Sequence, residues 1–184
     1  MPAMPKHAAF LRGVNLGPRR RISSADLRSL FDQMGFRDVA TFRTSGNVAF
    51  DARRESRTKL TDRIETRLAE SLGFEVTVFL RTRGEIRAIA SHLPFDRRSV
   101  ETSEGKLQVV LLPGRPASDA RQEVLALATD EDRLKFGDRE LYWLPSGGIR
   151  DSRLNSKSIE SLLGSTTMRT KGTIDELAAK YFSG

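Results

Sequence analysis

The chain has 184 residues, 38% hydrophobic and 30% charged, with a net charge of +7, enough apolar material for a core in one large or two small units without covalent staples. It contains no cysteine, which excludes disulfides, thiolate catalysis and cysteine-based zinc sites and suits a reducing cytoplasm. No apolar run approaches the ~20 residues that span a bilayer, and residues 1–7 lack the apolar centre of a secretion signal, so a soluble cytoplasmic protein with no membrane partner is expected.

Residues 7–12 form an apolar stretch too short for a helix and suited to a strand. Ser23 or Ser24 then offers an N-cap, Leu27, Leu30, Phe31 and Met34 recur at i, i+3, i+4 and i+7, and Gly35 supplies a stop, which predicts a helix. Val39 to Arg43 and Asn47 to Asp51 are β-prone runs around Thr44-Ser45-Gly46, a hairpin signal. Leu60, Ile64 and Leu68, closed by Leu72-Gly73, predict a second helix, and residues 76–80 a further strand. Arg83 to Ser91 reads as a short helix. The polar stretch after it, running to Gly105, is taken as the boundary between a first unit, residues 1–95, and a second, residues 105–184.

In the second unit the pattern returns. Leu107 to Leu112 reads as a strand, Ser118 to Ala128 as a helix, and Arg133 to Phe136 with Glu140 to Leu144 as a hairpin. A helix capped at Asn155 or Ser156 carries Ile159, Leu162 and Leu163, Thr166 to Thr170 makes the last strand, and Ile174, Leu177, Ala178 and Tyr181 mark a closing helix. The repeat is read in element order and not in residue identity. Strand, helix, strand, strand, helix, strand, joined by short right-handed connections, predicts an α+β fold of two ferredoxin-like subdomains, each βαββαβ with a four-stranded antiparallel sheet. In that topology the end of the first strand, the hairpin after the second and the amino end of the first helix share one edge. Arg12-Gly13-Val14-Asn15 should therefore neighbour Thr44-Ser45-Gly46-Asn47 and Ser23.

Those residues suit an anion. Arg12 carries a charged fork of donors, Asn15 and Asn47 donate and accept, and Ser45 adds a hydroxyl. Gly13, Gly17 and Gly46 permit close approach to backbone N–H groups, and a helix amino end adds partial positive charge. Arg19, Arg20 and Arg21 lie in the intervening loop, and residues 1–100 hold 19 Lys and Arg against 11 Asp and Glu, whereas residues 101–184 hold 12 against 13. A phosphate-bearing small molecule or nucleic acid is the expected partner. Each feature also has a plain reading. Ser45-Gly46-Asn47 is ordinary turn chemistry with Asn47 bonded to its own hairpin, Arg12 serves equally in a structural ion pair, and 24 of the 31 basic residues are Arg, a bias of composition alone. The loop from Pro145 to Leu154 reads either as a strand-to-helix connection or as a glycine nest for an anion served by Arg150, Arg153 and Lys157.

No nucleophile-and-base set, P-loop spacing or metal-ligand cluster is present, and His7 and His92 lack paired ligands, so no metal is expected and the sequence names no cofactor. Three readings stand. The first is a binding module for an anionic ligand, the second an enzyme acting on a small phosphorylated substrate with Asp26 or Asp51 handling a proton, and the third a protein association module whose motifs are architectural.

Taken together, residues 9–17 (Ala-Phe-Leu-Arg-Gly-Val-Asn-Leu-Gly), residues 41–50 (Thr-Phe-Arg-Thr-Ser-Gly-Asn-Val-Ala-Phe) and residues 148–154 (Gly-Ile-Arg-Asp-Ser-Arg-Leu) resemble the bacterial family known as domain of unknown function 1697. The resemblance runs nearly end to end and implies two ferredoxin-like units, with no activity attached. Its motifs fall here on Arg12, Gly13, Asn15, Ser45, Gly46, Asn47, Ser152, Arg153 and Arg169. The chain departs from the family's Thr-Arg-Asn-Trp near the carboxyl end, having Met168-Arg169-Thr170-Lys171, and Arg153 replaces the usual Lys, keeping charge while changing donor geometry.

Overall fold

The computed structural model describes residues 3–44 and 46–184. β1 (Lys6–Arg12), α1 (Ser24–Gln33), β2 (Arg37–Thr41), β3 (Asn47–Asp51), α2 (Arg57–Leu72) and β4 (Thr77–Thr82) make the first βαββαβ set, followed by α3 (Arg83–Ser91) and α4 (Arg97–Thr102). β5 (Gln108–Leu111), α5 (Ser118–Leu125), β6 (Asp132–Phe136), β7 (Glu140–Pro145), a 3-10 turn (Ile149–Asp151), α6 (Ser156–Leu163) and β8 (Thr167–Thr170) repeat the order, and α7 (Lys171–Tyr181) follows. Each set forms a four-stranded antiparallel sheet, in the orders β2-β3-β1-β4 and β6-β7-β5-β8. This is the α+β, ferredoxin-like topology that short right-handed connections dictate for such an element order.

Local signals start and stop the elements. Ser23 caps α1 by accepting from Asp26 N at 3.0 Å, and α2 ends at Gly73, whose φ of 76° suits a left-handed cap. Leu27 and Phe31 of α1 and Leu60, Ile64 and Leu68 of α2 pack on Leu11, Val48, Phe50 and Leu80 of the sheet, each such burial contributing about 1.5–3 kcal/mol. In the second unit Val124 of α5 and Ile159 of α6 cover Val110, Leu141 and Trp143. Ala8, Phe10, Ala49 and Phe79 point to the opposite face of the first sheet and are equally removed from solvent. Burial on both faces is why residues 7–11 read as a continuous apolar run and not as an alternation.

Three observations differ from the expectation. β2 ends at Thr41, two residues early, because Arg43 adopts a left-handed φ of 58° and Asn47 Nδ2 takes the Phe42 carbonyl at 2.9 Å. The chain divides into two compact units, Met1–Ala88 with Leu177–Gly184 and Ile89–Glu176, so the polar stretch before Gly105 lies inside the second. Ser103 Oγ donates to Pro145 O at 2.5 Å and Glu104 N to Ser146 O at 3.2 Å, which ties that stretch to the end of β7. It also contains α4, whose cap, Asp96 accepting from Ser99 N at 2.8 Å, is legible but whose six residues bury no side chain and so leave no periodicity.

The third difference concerns the repeat. At the last strand-to-helix junction of each set, Arg81-Thr82-Arg83-Gly84 and Arg169-Thr170-Lys171-Gly172 match in residue type as well as in order, each followed one residue later by an isoleucine. Both arginines are buried and each donates Nη1 to the preceding carbonyl at 2.9 Å. Both threonines cap the following helix, receiving Glu85 N at 3.3 Å and Thr173 N at 3.2 Å.

Candidate functional site

The two polar loops of the first unit meet. Leu11 N donates to Gly46 O at 2.8 Å, and Asn15 Nδ2 donates to Thr44 O at 2.6 Å. Asn15 holds its own loop as well, since its N–H donates to Arg20 O at 2.5 Å and its Oδ1 accepts from Ile22 N at 3.1 Å. One side chain thus fastens both ends of the loop after β1 and bridges it to the hairpin. Its left-handed φ of 56° is one that asparagine tolerates better than other side-chain-bearing residues. Gly13 and Gly17 on either side are left-handed too, at 94° and 80°. Gly46 is required by packing, because a Cβ there would stand 2.8 Å from Val14 Cγ2 and 3.0 Å from Leu11 Cβ.

Asn47 is wholly buried and its side chain bonds its own hairpin at the Phe42 carbonyl, the plain reading of that residue. Arg12 is half-buried at the end of β1, in register with Thr77. Arg19, Arg20 and Arg21 are exposed and, among the described residues, make no ion pair. The guanidinium carbon of Arg20 lies 5.5 Å from the Phe74 ring centre and that of Arg43 5.5 Å from the Phe42 ring centre, so two fork planes are steered by aromatic faces. Ser45 lies outside the described residues. Both carboxylates named above as proton carriers have structural partners. Asp26 accepts from Ser23 Oγ at 2.7 Å, and Asp51 Oδ1 stands 2.9 Å from Lys6 Nζ in the geometry of an ion pair and not of a hydrogen bond.

Ser152, Arg153 and Arg169 belong to the second unit. Ser152 Oγ donates to Asp132 Oδ2 at 2.6 Å and accepts from Leu154 N at 3.1 Å. Trp143 Nε1 donates to the other oxygen, Asp132 Oδ1, at 2.8 Å. Asp132 is 1% exposed, and two donors offset the cost of burying its charge. This network escaped the sequence reading, although a buried indole N–H needs an acceptor and Asp132 stands in register with Pro145, two residues along β7 from Trp143. Arg153 is exposed. Arg169 is buried, its Nη1 donates to Thr167 Oγ1 and Met168 O at 2.9 Å each, and desolvation pushes its pKa down to about 10, which leaves it charged at neutral pH.

The glycine loop of the second unit bounds a hollow of about 150 Å³ walled by Glu131, Asp132, Gly147, Gly148, Asp151 and Ser152. Asp132 and Asp151 bring two carboxylates to that wall, an environment that repels phosphate. Gly148 has φ −63°, and Asp151 N returns to its carbonyl at 2.9 Å in the 3-10 turn, so the segment is built as a connection. Among the described residues no group of His, Asp and Glu side chains forms a metal-binding set, and no helix is long and apolar enough to cross a membrane.

Two ferredoxin-like units, the first carrying adjoining Arg-Gly-Val-Asn and Gly-Asn loops, define an α+β protein of two subdomains. The chain belongs to the family described as protein of unknown function DUF1697, whose model matches residues 4–142. In fold it is similar to the conserved bacterial protein SP0830 from Streptococcus pneumoniae, at 20% identity and a TM-score of 0.73, with 96% of this chain and 98% of that one covered. A comparison with curated proteins gave no match.

Proposed function

We propose that the edge of the first unit, where the loop after β1 meets the β2–β3 hairpin, binds an anionic, phosphate-bearing ligand, either a nucleotide or an exposed nucleic-acid segment. One observation carries the reading: left-handed residues recur at 13, 15 and 17 in a loop that runs straight into three exposed arginines without ion pairs among the described residues. The glycines at 13 and 17 let a ligand approach the loop backbone closely, and cationic side chains around it raise the local potential. Arg12, Gly13 and Gly46 form the ligand's surroundings, and Asn15 and Asn47 hold the loops in place. Ser152, Arg153 and Arg169 are not needed for this site.

Thermal-shift and polarisation measurements against nucleotides, sugar phosphates and labelled single-stranded RNA, each at two salt concentrations, test it. For a nucleic-acid strand, replacing Arg19, Arg20 and Arg21 together by Gln lowers the slope of log affinity against log salt by about 2. For a small ligand, salt dependence is weak and the loss centres on Arg12→Ala. If none of these probes binds, the reading fails.

A second reading has its own observation. Asn15 spends its side-chain oxygen and nitrogen on Ile22 and Thr44, as an architectural motif does. On that reading Asn15→Gly, which keeps the left-handed backbone, lowers stability by about 1–3 kcal/mol through lost hydrogen bonds while Arg12→Ala changes no binding at all.

A further inference from the structure

We propose that a cleft of about 260 Å³ in the second unit, between α4 and the open end of the β6–β7 pair, binds a small zwitterion such as a free amino acid, its carboxylate on Arg133 and its ammonium on Glu131. The site is independent of the loops of the first unit.

Backbone pairing sets the two charges. Asp132 is in register with Pro145 and Arg133 with Leu144, and Ser146 N donates to Glu131 O at 2.7 Å, which holds the bend at Glu131 against the end of β7. Side chains alternate along an extended chain. Asp132 points inward to Trp143 and Ser152, whereas Glu131 and Arg133 are exposed and both line the cleft. Residues two apart on a strand are separated by about 7 Å, a span that one molecule carrying both an ammonium and a carboxylate bridges with a contact at each end.

The groups are available and held. The guanidinium carbon of Arg133 lies 5.0 Å from the centre of the buried Phe95 ring, which fixes the plane of the fork. Among the described residues neither Arg133 nor Glu131 makes an ion pair. Both carboxylate oxygens of Asp96 accept from Ser99, Oδ1 from its N–H at 2.8 Å and Oδ2 from its hydroxyl at 2.6 Å.

The remaining wall selects the ligand's polarity. Ser99, Thr102 and Ser103 line the cleft, and their hydroxyl protons are committed to Asp96, to the Arg98 carbonyl and to the Pro145 carbonyl. The hydroxyls of Ser99 and Thr102 therefore present lone pairs, which accept, while Ser103 Oγ already accepts from Gly105 N at 3.1 Å. An acceptor-rich wall with one guanidinium takes a molecule rich in donors that carries a single carboxylate. A phosphate dianion meets Glu131 and Asp130 on the same wall. At this volume, below the ~300–1,000 Å³ usual for drug-sized ligands, the occupant is a small metabolite.

Titration of 15N-labelled protein with the proteinogenic amino acids, one at a time, tests the proposal. Saturable shifts at Ser99, Thr102 and Arg133 are expected with at least one of them. The N-acetylated and the carboxamide derivative of that amino acid, each lacking one charge, bind at least tenfold more weakly. Arg133→Met weakens binding about tenfold or more, Glu131→Gln weakens it severalfold, and Arg133→Lys, which keeps charge without the fork, falls between wild type and Met. Both side chains are exposed, and an unchanged melting temperature verifies each of the three variants. The proposal is overturned if no amino acid moves these signals, if the capped derivatives bind as well as the parent, if Arg133→Met has no effect, or if a divalent cation alone reproduces the shifts.

Discussion

Gly46 shows what a single atom does in this molecule. Its φ is 73° and the nearest atoms to an added Cβ stand at 2.8 and 3.0 Å, so Gly46→Ala meets backbone strain and overpacking together. The expected loss is about 2–4 kcal/mol, read as a lower denaturation midpoint at constant slope. Gly17 has nearly the same backbone, at 80°, with nothing within 4 Å, and Gly17→Ala therefore costs only about 1 kcal/mol. A Gly46→Ala protein as stable as wild type would mean that the loops are not interlocked as described. Asn15 and Asn47 make the same point from the polar side. Both are motif residues in the sequence, and the choice between ligand contact and loop fastening depended on where their amide groups end, at Thr44 and Phe42.

At the scale of elements, the repeated junctions after β4 and β8 are the part of the fold most open to measurement. Thr82 and Glu85 form a reciprocal cap, Glu85 Oε2 receiving Thr82 N at 2.8 Å while Thr82 Oγ1 receives Glu85 N at 3.3 Å. At the other junction Thr170 Oγ1 receives Thr173 N at 3.2 Å. Thr82→Ala and Thr170→Ala should each lower stability by about 1 kcal/mol, with Ser restoring most of it; equilibrium unfolding of the four variants checks this. Helices with buried stripes, such as α2 with Leu60, Ile64 and Leu68, were legible from spacing. α4 was not, because no residue of it is buried and a cap without a stripe is a weak signal. The end of β2 was misplaced by two residues because the reversal at Arg43 uses a left-handed non-glycine residue that composition does not mark.

For the whole molecule, charge and burial make stability depend on pH. His7 stacks on Phe50 at 5.7 Å between ring centres, and burial, partly opposed by a hydrogen bond to Pro5 O, lowers its pKa from the ordinary value. The folded state then takes up the proton at lower pH than the unfolded chain does. Stability is therefore complete above about 6.5 and declines as pH falls through the depressed value. His7→Gln should flatten that decline in melting temperature between neutral and mildly acidic pH, and an unchanged profile would assign the decline to other groups. The division into Met1–Ala88 with Leu177–Gly184 and Ile89–Glu176 is also a property of the whole chain. It runs through α3 and α7, where no Pro or Gly cluster or change of composition announces it.

The sequence alone determined the strands and the helices with buried stripes, their order and hence the topology, because periodicity, caps and glycine stops act over a few neighbouring residues, and chain-connection rules leave one compact arrangement for that order. Tertiary structure decided what the polar residues are for. Asn15 finds Thr44 29 positions away and Ser152 finds Asp132 20 positions away, and the pairing of Glu131 with Arg133 over one cleft depends on backbone pairing that joins them to Ser146 and Leu144. A side chain's chemistry is set by its partner, and partners distant in sequence are chosen only when the chain has folded.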